Sequence, residues 1–156
     1  MSMIKITTRF MPAVTLAAAV MLPVAAAQST PATADRAAVQ QAALDYVEGI
    51  YTSDVTRIER SVHPQLTKRG FWRDTATAPW GAQQTMTYQQ LMALAASWNK
   101  AGNRDTSIRK IEVLDVMDQT AVAKVTASWG IDHMQLAKYD GRWKIINIVW
   151  QAHPAK

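Results

Sequence analysis

Toward its C-terminal end the chain alternates apolar and polar positions in three runs, residues 121–129, 132–139 and 142–151. Period two is the signature of half-buried strands. The last two runs meet at Asp140-Gly141, a dipeptide suited to a two-residue type I′ hairpin turn, which needs φ > 0 at both positions. Upstream the period changes. Val39, Ala43, Tyr46 and Ile50 form one apolar stripe of a helix spanning residues 35–51, with Asp35 as its expected N-cap. A short second helix from Ser53 or Asp54 to Ser61 points Val55, Ile58 and Val62 inward and ends at His63-Pro64. Residues 66–72 read as a short strand, and residues 73–85 as a loop. Thr87-Tyr88-Gln89-Gln90 is a capping box opening a third helix with Leu91, Leu94, Ala95 and Trp98 inward. Gly102 lies just past that helix, and residues 108–117 form the next strand. Helices first and an antiparallel meander afterwards predict an α+β domain with helices packed on one sheet face.

The turns also predict which residues share a face. With a two-residue loop at Asp140-Gly141, Lys138 pairs with Trp143, Leu136 with Ile145, Met134 with Asn147 and Asp132 with Val149. One face then carries Asp132, Met134, Leu136, Trp143, Ile145, Asn147 and Val149. A two-residue turn at Gly130-Ile131 adds Trp129, Ala127 and Val125. This mostly apolar face is expected under the helices. The other face carries His133, Gln135, Arg142, Lys144, Ile146, Ile148 and Trp150, a mixture that suits a homodimer surface. A bulge would flip these assignments.

Asp132 and Asn147 are nearly the only polar groups on the inner face. A buried carboxylate must be paired or protonated. Asp132 is therefore the candidate general base or ligand anchor, and Asn147 the candidate holder of a carbonyl or oxyanion. The competing reading is a structural polar pair. Trp129 and Trp143 are candidates to line the pocket, and Tyr46 joins them from the first helix. Trp72, followed by Arg73-Asp74, is a candidate for binding a planar ligand at the mouth, against a hydrophobic plug. His63 is a candidate ligand contact, against a loop or cap histidine. His133 is expected at the surface. Trp98 is expected in the core.

The amino-terminal segment is expected to be removed. Lys5 and Arg9 precede an apolar run of about fifteen residues, shorter than the ~20 needed to span a bilayer and broken by Pro12 and Pro23. Ala25-Ala26-Ala27 supplies a cleavage site, so residues 1–27 read as a signal peptide and 28–34 as a flexible leader to a single domain over 35–154. No stable membrane anchor is expected after cleavage, and the mature protein is placed in the periplasm or medium. The formal charge is +5, and loss of Lys5 and Arg9 leaves +3. The basic residues are scattered, as in Lys68-Arg69 and Arg109-Lys110, which argues against nucleic acid as a partner. The sequence has no cysteine, so disulfides and thiolate chemistry are excluded. No phosphate-binding glycine loop, catalytic triad order or metal motif occurs, and no cofactor or metal is expected.

The helix pair ending in His63-Pro64-Gln65-Leu66, then Lys68-Arg69, a capped helix and three long strands closing with Leu136-Ala-Lys-Tyr-Asp-Gly-Arg-Trp-Lys-Ile-Ile-Asn-Ile-Val-Trp150 resemble the putative lumazine-binding family within the nuclear transport factor 2-like superfamily. The resemblance covers about residues 36 to 154, and its strongest segment begins at Asp140-Gly141-Arg142-Trp143. It implies a cone-shaped α+β fold, a curved sheet wrapped around helices to leave one pocket, and frequent homodimerisation through the sheet. It implies little chemistry, because the superfamily holds isomerases, dehydratases, cyclases and binding modules alike. Two functions stand open at this point: an exported domain binding a small molecule in an apolar, Trp-lined pocket, and an isomerase- or dehydratase-type enzyme with Asp132 as general base.

Overall fold

The apolar stripe of the first helix is the centre of the molecule: Val39, Ala43, Tyr46, Val47 and Ile50 are all essentially inaccessible to solvent. The computed structural model describes residues 31–107 and 109–155. Helix α1 (Pro31–Tyr51) is followed by α2 (Val55–Ser61), β1 (Val62–Phe71), β2 (Gln84–Met86), α3 (Tyr88–Ser97), β3 (Arg109–Val116), β4 (Thr120–Ala127), β5 (Gly130–Tyr139) and β6 (Arg142–Gln151). The six strands form one sheet in the order β2-β1-β6-β5-β4-β3, antiparallel except for the parallel pair β1 and β6. Helix α1 packs across β3, β4 and β6, with α2 and α3 beside it. This is an α+β architecture with its helices on one sheet face. Segment 1–27 and residues 28–30 lie outside the described residues.

Local signals behave as their chemistry dictates. Asp54 caps α2 by accepting from the Thr56 amide, and Thr87 and Gln90 complete a reciprocal capping box at α3. Thr87→Ala is expected to cost about 1 kcal/mol, read by urea unfolding, because it orphans an amide at the helix start. Asp140 and Gly141 both have positive φ, 48° and 76°, as a type I′ turn requires.

Four expectations change. Helix α1 begins at Pro31, within the expected leader; proline suits a first turn, where its missing N–H costs nothing. Asp35 is thus inside the helix, and its carboxylate accepts instead from Lys138 (2.7 Å) and Trp143 (3.0 Å). Strand β1 starts directly after α2, at Val62, and includes His63-Pro64. Its register with β6 jumps between Val62 and Thr67, around the proline that cannot donate to a ladder. The β4–β5 turn is Ser128-Trp129, since Ala127 pairs with Gly130; the faces of these strands are nonetheless as expected, with Val125 opposite Asp132.

The fourth change matters most. The β5–β6 register follows the expected count from Tyr139↔Arg142 to Leu136↔Ile145, then shifts, so that Gln135 pairs with Asn147, Met134 with Ile148 and Asp132 with Trp150. Ile146 is the extra residue of a β-bulge. Beyond it the parity of β6 reverses. Asn147 and Val149 leave the inner face, and Ile148 (0% exposed) and Trp150 take their places. The exchange keeps an amide out of the core and brings two large apolar groups in. The apolar surface expected to support a homodimer therefore loses Ile148 and Trp150.

Candidate functional site

Strand β1 alternates Leu66, Lys68 and Gly70 inward with Thr67, Arg69 and Phe71 outward. That alternation puts a lysine into the interior. On β5, Asp132 occupies an inward position, and its side chain is wholly inaccessible. The two meet: Lys68 Nζ lies 3.3 Å from Asp132 Oδ1. The other carboxylate oxygen accepts from Trp129 Nε1 at 2.7 Å. Lys68 also donates to the Tyr46 hydroxyl, which α1 delivers from its buried stripe. Burial, and after it the negative charge of Asp132, push the Tyr46 phenol well above its ordinary value of 10.0. Tyr46 is thus a neutral hydroxyl that takes a hydrogen bond from the ammonium. Lys68 Nζ lies 5.2 Å from the Tyr46 ring centroid and 5.6 Å from that of Trp150.

An aromatic group encloses this polar cluster. Trp129 meets Tyr46, Tyr51 and Trp98 edge to face, with centroids 6.2, 5.4 and 5.6 Å away. The turn that carries Trp129 is held by Tyr51, whose hydroxyl accepts from the Ser128 amide at 2.8 Å. Trp72, just past β1, tilts against Trp150 at 6.4 Å.

Between these groups lies a cavity of about 190 Å³. Its walls are Trp72, Trp98, Trp129 and Trp150, with Ile50, Met86 and Leu94 completing the apolar surface and Gln84, the first residue of β2, adding an amide. Lys68 is the charged residue among those that line it. Asp132 does not line it; the carboxylate sits behind Lys68 and Trp129. A second cavity, about 380 Å³, shares Trp72, Trp98 and Trp129 and adds Arg104, Asp105 and Ser128. The guanidinium of Arg104 lies 4.9 Å from the Trp98 centroid. The arrangement offers stacking surfaces for a flat molecule and one ammonium donor, while both oxygens of the nearby acid are engaged.

Of the residues singled out from the sequence, Asp132, Tyr46, Trp129 and Trp72 converge here. Three do not. Asn147 lies on the outer face beyond the bulge, accepting from Thr67 Oγ1 at 2.7 Å and donating to Gln135. Trp143 points inward but is spent on Asp35. His63 stacks on Tyr139 at 4.4 Å, and its Nδ1 accepts from the Gln65 amide. Lys68, Trp98 and Trp150 also belong to the site, although the sequence alone places Lys68 among scattered surface charges, Trp98 in the core and Trp150 on the outer face. The inward alternation Leu66-x-Lys68-x-Gly70 was the available signal for Lys68. Among the described residues no group of three or more His, Asp or Glu converges as a metal site would.

Comparison with known proteins agrees with the fold. A nuclear transport factor 2-like protein of unknown function from Silicibacter pomeroyi superposes with a TM-score of 0.63 at 18% identity, covering 75% of this chain and 94% of its own. One from Shewanella baltica, also of unknown function, gives 0.60 at 18% identity over 81% and 99%. A third, from Methylobacillus flagellatus, gives 0.53 at 19% identity over 77% and 93%. No curated protein matches the chain significantly. The family described as putative lumazine-binding matches residues 34–151. With its helices on one face of a curved, mostly antiparallel sheet, the chain belongs to that family and has the nuclear transport factor 2-like fold.

Proposed function

We propose that this protein is an exported small-molecule-binding domain whose tryptophan-walled cavity takes a flat, largely apolar ligand. The observation that carries this reading is the set of four indoles, Trp72, Trp98, Trp129 and Trp150, around one cavity of about 190 Å³. Concave apolar sites with a few fixed polar groups are where small ligands bind. Export rests on the basic, apolar and small-residue segments of residues 1–27, and puts the ligand in the periplasm or medium. The enzyme reading, with Asp132 as general base, has weaker support. A base must reach the proton it removes, whereas Asp132 has one oxygen on Trp129 and the other on Lys68.

The test is calorimetric titration with 2-acetylnaphthalene. The wild-type protein should bind it. Trp72→Ala should weaken binding by about five- to tenfold, the worth of one aromatic contact, with little change in unfolding because Trp72 is 40% exposed. Absence of binding by this and related flat rings would remove the proposal.

A further inference from the structure

Lys68, which lines the cavity, and Asp132 behind it are both buried, with side-chain exposures of 4% and 0%. An ammonium has three donors and no acceptor. One goes to Tyr46 and one to Asp132. The third serves whatever fills the cavity that Lys68 lines.

Charge balance then decides the ligand. A carboxylate ligand would bring a second anion to a single ammonium inside indole walls, and uncompensated buried charge is expensive. A cationic ligand would face Lys68, and would find both Asp132 oxygens engaged. A plain hydrocarbon would strip water from the third N–H and give nothing back. A neutral carbonyl accepts that N–H and leaves the two charges balanced. The positive charge of Arg104 belongs to the lining of the second cavity, with Asp105, and not to that of this one.

We propose that the Lys68–Asp132 pair makes this site selective for an uncharged flat ligand bearing a carbonyl-type acceptor, with Lys68 as the recognising donor and Asp132 as the residue that sets its charge balance. The inference rests on the cavity's being a binding site.

Three probes sharing one ring system test it by calorimetry on the whole mature protein: 2-acetylnaphthalene, 2-naphthoate and 2-ethylnaphthalene. The ketone should bind tightest, about tenfold better than the hydrocarbon, the worth of one buried hydrogen bond. It should also exceed the carboxylate by at least about tenfold, given the cost of an uncompensated charge. In Asp132→Asn the amide retains an acceptor for Trp129 but loses the charge, so 2-naphthoate should gain about tenfold or more relative to the ketone. The inference is overturned if the carboxylate binds tightest to the wild type, if ketone and hydrocarbon bind alike, or if Asp132→Asn leaves the ratio unchanged. Should that variant not fold, the wild-type ranking decides alone. If all three rings bind alike and Trp72→Ala weakens each, the binding site stands and only the selectivity fails. If none binds, both fall.

Discussion

Asp132→Leu is expected to destabilise the protein by roughly 3–5 kcal/mol, the cost of leaving one member of a buried ion pair alone. Lys68 would lose its counter-charge on a side chain that is only 4% exposed, and the Tyr46 hydroxyl beside it is uncharged. Trp129 would also lose the acceptor for its indole N–H, a further unsatisfied buried group. The partner variant Lys68→Met strands the carboxylate in the same way and should cost a similar amount. The double variant should recover most of the loss, because a well-packed apolar pair of similar volume replaces buried ions at little or no net cost. Urea unfolding of the four proteins closes the cycle. A single substitution costing under ~1 kcal/mol would mean that the pair is hydrated or apart in solution.

Gly70→Ala should have the second-largest effect. Strand β1 passes β6 so closely there that a Cβ on Gly70 would lie 2.1 Å from the Trp150 carbonyl oxygen and 2.5 Å from Trp150 Cδ1. The first contact is with backbone and cannot be relieved by a rotamer change. Parallel pairing of β1 and β6 must open locally or Trp150 must move. Overpacking of this kind costs about 1–3 kcal/mol. Since Trp150 is a wall of the cavity, binding of 2-acetylnaphthalene should fall as well, by about tenfold if one aromatic contact is lost. Calorimetry and thermal unfolding of one variant read both effects. A protein that kept wild-type stability and affinity would show that the strands have slack at this point.

Much of the fold was legible because its signals are local. The stripe through Val39, Ala43, Tyr46 and Ile50, the capping box at Thr87 and the turn at Asp140-Gly141 each depend on residues within a few positions of one another. Asp132 was legible for the same reason. Its side is set by parity along β5, which runs without interruption from Leu136 to Asp132. What could not be read is everything beyond the extra residue in β6. Nothing in Ile145-Ile146-Asn147-Ile148 marks which isoleucine will bulge. That choice is made by the core, which gains Ile148 and Trp150 and sheds Asn147 and Val149. Asn147 and Val149, which the sequence puts on the face of Asp132, therefore lie on the other side, whereas Trp129 does hydrogen-bond it. Lys68 was hidden by a different ambiguity. Beside Arg69 it looks like surface charge, and only a strand that starts at Val62 with Leu66, Lys68 and Gly70 on one side turns it inward. Trp98 has both roles, since its ring stacks on Tyr51 at 5.5 Å and also forms a cavity wall.

The six tryptophans offer the most direct check on where a ligand sits, because each indole N–H gives its own signal in a ¹⁵N-labelled protein. Titration with 2-acetylnaphthalene should shift the Trp72, Trp98, Trp129 and Trp150 indoles, which wall the cavity. It should leave Trp143, hydrogen-bonded to Asp35, and Trp80, packed under Arg73, where they were. Shifts confined to Trp143 and Trp80, with the four cavity indoles unmoved, would contradict the account.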